Sequence, residues 1–219
     1  MHIFLTGQPA SGKTTIVKRV SDHLRSLAQG GDGGVSLAGF YTEEVREGDS
    51  RVGFDVVSMG NSGKKAKLSR IEANPGRARP MVGKYVVDVD SFEALALSEL
   101  SEEKVEACEI IVIDEVGKME LYSEAFYPRV VSLLDESPIP ILGVIPSPRY
   151  GRTIDRVERI RNRSDTIVRK VTRTNREELF HKVLEDVMEA LREKKGKRKR
   201  EGEGQTERSS YSVDKQRSA

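Results

Sequence analysis

Apolar residues along this chain recur in blocks whose period switches between two and about 3.6. Ile3–Thr6 is a short apolar run that reaches Gly7 and predicts a strand. Ile16, Val17, Val20, Leu24 and Leu27 follow at helical spacing and predict an amphipathic helix over Gly12–Gln29, ended by the glycines of Gly30–Gly34. Leu37–Arg46 and Val52–Met59 are β-rich runs joined around Glu47-Gly48-Asp49-Ser50, which predicts an antiparallel hairpin. Gly60–Gly83, rich in Gly, Lys, Arg and Pro, reads as a mobile surface segment. Tyr85–Val89 predicts another strand, and Ser91 is placed to cap a helix through Leu100.

The second half is more regular. Ile110–Ile113 is a four-residue apolar run, the pattern of a strand buried on both faces. A helix over Ser123–Leu134, a strand over Ile139–Ile145, a short basic helix over Asp155–Arg163 and a strand over Thr166–Val171 follow. Asn175 with Glu178 three residues on is a capping-box variant opening a helix whose apolar face ends at Leu191. Alternating strands and helices predict a three-layer α/β domain around a mostly parallel sheet with one antiparallel hairpin.

Past Leu191 only Tyr211 and Val213 are sizeable apolar residues. The chain is therefore expected to divide into a domain at 1–191 and a disordered tail at 192–219. That tail holds ten Lys/Arg against five Asp/Glu, leaving 27 against 30 in residues 1–191. The body is thus no basic nucleic-acid surface, although Lys194–Arg200, with six basic residues in seven, offers a nuclear-import signal, a nucleic-acid contact or simply a solvated end. Cys108 is the only cysteine, which excludes an intramolecular disulfide and a cysteine-cluster zinc site. No apolar run approaches the roughly 20 residues of a membrane span, and the N-terminal pattern is that of a strand rather than a signal peptide. A cytoplasmic or nuclear protein, monomeric and away from membranes, is the expectation.

The chemistry is concentrated in Gly7-Gln8-Pro9-Ala10-Ser11-Gly12-Lys13-Thr14, two glycines five apart followed by Lys and Thr. Glycines let the backbone curl so that successive N–H groups face phosphates, and the helix that starts there adds the positive end of its dipole. Lys13 is placed to reach β- and γ-phosphate oxygens, and the Thr14 hydroxyl to ligate Mg²⁺. Gly7 through Thr15, with Asp114 and Glu115, make the expected nucleotide-binding set. Asp114 ends the most buried predicted strand, where a second metal-side carboxylate belongs, and Glu115 is placed to orient an attacking water. A water-directing carboxylate favours hydrolysis over transfer to another acceptor. Gly60-Asn61-Ser62-Gly63-Lys64-Lys65 is a decoy: its glycines are three apart and neither Ser nor Thr follows the lysine.

With these residues in view, the chain resembles the cancer-related nucleoside-triphosphatase family, slow phosphate-loop enzymes of thermophile type, and most resembles its eukaryotic branch. The resemblance is carried by Phe4-Leu5-Thr6-Gly7 running into the loop, Gly39-Phe40-Tyr41-Thr42-Glu43-Glu44-Val45-Arg46, Asp114-Glu115-Val116-Gly117-Lys118-Met119-Glu120-Leu121 and Ile160-Arg161-Asn162-Arg163. It spans about residues 2–190, and implies a single domain with a mixed sheet and slow, Mg²⁺-dependent hydrolysis of ATP, GTP, CTP and UTP to diphosphate and phosphate. A nucleotide or small-molecule kinase on the same fold is one alternative, and a nucleotide-dependent switch or nucleic-acid-associated module working through the tail is another. The glycine run at 30–34 and the tail depart from the family pattern.

Other residues have competing readings. Arg161 and Arg163 either belong to a lid whose arginine meets the γ-phosphate or lie on a solvated basic face. Glu43, Glu44 and Arg46 are expected to pair across strands with Arg51 or Asp55, although the resemblance points to a place near the nucleotide, and Lys118 to pair with Glu120 rather than approach a phosphate. His2, His23 and His181 lack metal spacing, and Cys108 reads as a small buried hydrophobe.

Overall fold

The computed structural model describes residues 1–27, 34–60, 63–73, 79–148 and 151–214. Among them, nine strands, numbered along the chain, form one mixed sheet. Its parallel half runs, in spatial order, β2 (Leu37–Glu47), β7 (Ile110–Ile113), β8 (Ile141–Val144), β1 (His2–Gly7) and β9 (Thr166–Val171). From β2 the sheet continues antiparallel through β3 (Ser50–Ser58), β4 (Lys65–Arg70) and β6 (Tyr85–Val87) to β5 (Met81–Val82).

Helices cover both faces. The strand period of two sends Ile3, Leu5, Ile110, Val112, Leu142 and Val144 to one side, where α1 (Lys13–Ser26) and α6 (Arg176–Asp214) pack. Phe4, Ile111, Ile113 and Ile141 point the other way. There they meet α2 (Val89–Glu99), α3 (Glu102–Glu106), α4 (Phe126–Glu136) and α5 (Asp155–Arg161). Phe40, Phe92 and Phe126 form a fully buried aromatic cluster in that second core, with ring centroids 5.1–5.8 Å apart. Each such side chain contributes roughly 1.5–3 kcal/mol of burial. The expected three-layer α/β architecture is what forms.

Three local expectations are corrected. Gly60–Gly83 is not one mobile segment, because Lys65–Arg70 within it is β4, hydrogen-bonded to β3 and β6 with Leu68 and Ser69 buried. Its Lys-Ala-Lys-Leu-Ser-Arg pattern hides a strand because the partly exposed positions carry lysines; residues 61–62 and 74–78 lie outside the described residues. Asp88, not Ser91, caps α2: its carboxylate accepts the Ser91 N–H at 3.1 Å, while the Ser91 hydroxyl accepts from Lys67 N. Asn175 precedes α6 as expected, but its side-chain oxygen takes the Thr172 N–H at 2.8 Å and its amide donates to Lys170 O at 3.0 Å. These bonds tie the helix start to the end of β9 rather than closing a capping box.

Helix α6 runs from Arg176 to Asp214. Lys, Arg and Glu are good helix formers, and extending a packed helix needs no new nucleus. Buried contacts also pass Leu191: Lys194 is only 6% exposed, and its ammonium donates to Cys108 O at 3.3 Å and Glu109 O at 3.4 Å. The glycines at 30–33 and residues 215–219 lie outside the described residues. No helix among the described residues is long and apolar enough to cross a membrane.

Candidate active site

Register aligns the carboxyl ends of the parallel strands. Phe40 pairs with Ile113, Ile113 with Gly143, Leu5 with Val144 and Gly7 with Val171, so the loops leaving β1, β7, β8 and β9 open on one edge of the sheet. Ligands of open α/β sheets bind at that edge.

The loop from Gly7 turns into α1 through Gly12, whose φ of +99° only glycine adopts readily. The helix start has no side-chain cap and no acidic residue in its first turn. Its orphan N–H groups and positive dipole end therefore face outward without a protein anion, as an anion-binding terminus requires. Ser11 N–H donates to Gln8 O at 3.1 Å, closing the loop. Lys13 curls back over it, its ammonium 3.2 Å from Gly7 O and 3.4 Å from Gln8 O. Gln8, Pro9 and Ala10 are exposed at the loop tip, and Thr15 is exposed on the first helical turn. The Thr6 and Ser11 hydroxyls are buried without a hydrogen-bond partner.

Asp114 follows β7 directly opposite. It is 1% exposed, lies close enough to the Thr14 hydroxyl for that group to favour its charged form, and leaves Oδ2 with no hydrogen-bond partner. Burial lifts its pKa to about 7, with Thr14 pulling down, Glu115 pushing up and Lys13 pulling down. An orphaned, buried carboxylate oxygen beside a Thr hydroxyl is a hard-oxygen pair that fits a Mg²⁺ ion sharing its shell with phosphates and water. The two residues assigned to the metal from sequence are therefore brought together.

Glu115 is partly exposed and joined to Asp114 by a cis peptide bond. Gly117 sits between two carboxylates: a Cβ there would lie 2.4 Å from Glu115 Oε1 and 3.0 Å from Glu120 Oε2. Only glycine leaves both acids room. Glu120, on a 3₁₀ turn at Glu120–Tyr122, is 3% exposed and accepts the Gly117 N–H at 3.1 Å. Burial and the neighbouring Glu115 push its pKa well up. It thus faces inward while Lys118 is exposed, unlike the pairing expected for them. The role of Glu120 at the site was missed because nothing in the spacing says that a 3₁₀ turn folds it back.

A cavity of about 630 Å³ opens beside the loop, between the ends of β1, β8 and β9, with Gln8, Ser11, Ser147, Arg161, Lys170 and Arg173 among its lining. Arg161 reaches it while bonded to Pro146 O at 2.7 Å and Glu158 at 3.1 Å. Arg163 does not. It pairs with Asp135 and Asp165 and donates to Leu134 O, at the end of the sheet where β1 and β9 begin. Arg163 therefore lies apart from the loop: α5 ends at Arg161, and two residues later the chain has turned toward β9.

Around the site, Glu44 pairs with Arg51 as expected, Arg46 instead pairs with Glu44 on its own strand, and Asp55 takes Arg70. Glu43 instead bridges Lys18 of α1 and Lys65 of β4. Sequence reasoning also passed over Arg176, the first residue of α6, which donates to Ser11 O at 2.8 Å and Ala10 O at 3.4 Å. No local pattern marks a surface-type arginine 165 residues away as a loop contact.

Comparison with known proteins converges on the same chemistry. A family described as NTPase matches residues 2–184. The cancer-related nucleoside-triphosphatase of Homo sapiens is 45% identical over 188 residues, covering 84% of this chain and 94% of that protein. The solution structure of a human cancer-related nucleoside triphosphatase superimposes with a TM-score of 0.70 at 43% identity, over 85% of this chain and 96% of the other. The crystal structure of THEP1 from the hyperthermophile Aquifex aeolicus superimposes with a TM-score of 0.70 at 31% identity, over 85% of this chain and 99% of the other. On these matches, this chain belongs to the nucleoside-triphosphatase family.

Proposed function

We propose that the chain hydrolyses the terminal phosphoanhydride of ATP, GTP, CTP and UTP with Mg²⁺, releasing diphosphate and phosphate slowly and with little base selectivity. One observation carries this: an uncapped helix terminus and Lys13 face a buried Asp114 whose Oδ2 is open beside the Thr14 hydroxyl. Triphosphate oxygens are taken by the N–H groups at the helix start, Gly12 to Thr15, and by the ammonium of Lys13, which exchanges its two backbone carbonyls for phosphate. Thr14 and Asp114 would hold the Mg²⁺, which supplies charge neutralisation for the phosphates. Glu115, beside Asp114 and only partly buried, orients the attacking water and accepts its proton. Arg161 faces the cavity next to the loop and supplies positive charge there.

Residues 1–191 form the catalytic unit in this reading, a monomer, with 192–219 a basic appendage available to nuclear import or nucleic acid. The test is phosphate release from the four triphosphates with Mg²⁺, for wild type, Lys13→Ala and Glu115→Gln. All four are expected to turn over slowly, with losses of about 10²-fold or more in both variants. Triphosphate binding with no phosphate release, or release only when an acceptor is added, sinks the hydrolase in favour of a kinase.

A further inference from the structure

The phosphate loop is gripped from behind. Arg176 Nε donates to Ser11 O at 2.8 Å and Nη2 to Ala10 O at 3.4 Å, and a Cβ on Gly12 would come within 2.8 Å of Arg176 Nε. In a trans peptide the C=O and N–H point in opposite directions. Holding Ser11 O against Arg176 therefore aims the Gly12 N–H away from it, and a cation at that oxygen makes the same N–H a stronger donor. Ala10, at φ +58°, is the one non-glycine among the described residues in the left-handed region, so the loop is held in a shape its own sequence does not prefer.

The arginine itself is well anchored. Asn175 ties the start of α6 to Thr172 N and Lys170 O, and Glu177 holds Arg19 of α1 through two bonds of 2.7 and 3.0 Å. The Arg19 guanidinium also lies 4.4 Å from the Phe180 ring centroid. Both ends of the contact, α1 and α6, are thus locked to each other beside the loop.

We propose that Arg176 is a positioning residue for nucleotide binding: it clamps the outward carbonyl of Ser11, so that the Gly12 N–H stays turned toward the phosphates, and that of Ala10, whose peptide partner, the Ser11 N–H, closes the loop on Gln8 O. The inference rests on the reading that Gly7–Thr14 holds phosphates. Because the Gly12 N–H serves substrate and transition state alike, losing the clamp raises KM and leaves kcat nearly unchanged, the opposite of Glu115→Gln.

Binding of a fluorescent adenosine diphosphate and steady-state hydrolysis of MgATP are measured for wild type, Arg176→Met, which keeps the stem, and Arg176→Ala with and without millimolar guanidinium. Melting midpoints are followed in parallel. Arg176→Met is expected to weaken diphosphate binding about tenfold and to raise KM to match, with kcat within about threefold. Guanidinium is expected to restore part of the affinity of Arg176→Ala. Wild-type affinity in Arg176→Met overturns the proposal. So does a collapse of the melting midpoint that guanidinium does not reverse, since Arg176 would then be a residue of the fold. A wild type that binds no diphosphate is a different failure: it removes the phosphate-loop reading itself and this inference with it.

Discussion

The two halves of the sheet are built differently. In the parallel half, β1, β7 and β8 are buried along their whole length, with side chains alternating between two apolar cores. In the antiparallel half, β3 and β4 are partly exposed and laced with ion pairs: Asp55 with Arg70, Lys67 with Asp88, and Glu43 and Glu44 with Lys65 and Arg51. The phosphate loop, Asp114 and Glu115 all leave the first half. A site that must hold phosphates and a buried carboxylate in register needs rigid supports, and strands packed on both faces supply them.

The largest expected effect tests that division directly. Phe4→Ala, in the parallel core, is expected to lower unfolding free energy by about 3–5 kcal/mol in a urea titration. A loss comparable to that of a surface substitution would mean that the parallel half does not carry the stability assigned to it.

Asp114 sharpens the comparison from the opposite side, because it is a charge placed where the core is driest. Its folded pKa of about 7 lies above the ordinary carboxylate value of 3.8. The native state thus binds the extra proton between those values, and stability falls as pH rises through that window. Without Mg²⁺, Asp114→Asn is expected to melt higher than wild type at pH 8, with the difference shrinking as pH drops toward 4, and to lose Mg²⁺-dependent turnover. His2, buried and lowered to about 4 by desolvation, gives the reverse slope between pH 4 and 6.5 in both proteins and cancels from the difference. An Asp114→Asn protein that melts lower at pH 8 would contradict the burial argument.

Arg161 and Arg163 put the same comparison within three residues. Arg161→Ala is expected to change kcat or KM for MgATP by about tenfold, whereas Arg163→Ala, which loses Asp135, Asp165 and Leu134 O, is expected to lower the melting midpoint and leave kinetics within about twofold. Equal kinetic effects would put both arginines in one device. Smallest is Glu44→Gln, which removes the ion pairs to Arg51 and Arg46, all three partners being over a third exposed. It is expected to cost below about 1 kcal/mol in the same urea titration and leave turnover unchanged.

Legibility followed burial. Ile110–Ile113 and Ile3–Thr6 read as strands because they are apolar without interruption, and α1 read as a helix because its buried Ile16, Val17, Val20 and Leu24 recur at one period. Strand β4 did not, since its lysines sit where the sheet meets water. The phosphate loop was legible because its chemistry is local: glycines, a lysine and a threonine at fixed spacing bend one stretch of backbone around one ligand.

By itself, the sequence determined the three-layer alternation, the loop at Gly7–Thr14 and the acidic pair at Asp114–Glu115, all properties of short contiguous segments. Only the tertiary structure decided that Asp114 meets Thr14, that Glu120 turns in beside Glu115, that Arg161 and Arg163 part company, and that Arg176 returns to the loop. Those are contacts between segments up to 165 residues apart. They are settled by which strands lie side by side and where each helix begins, and local periodicity carries no record of either.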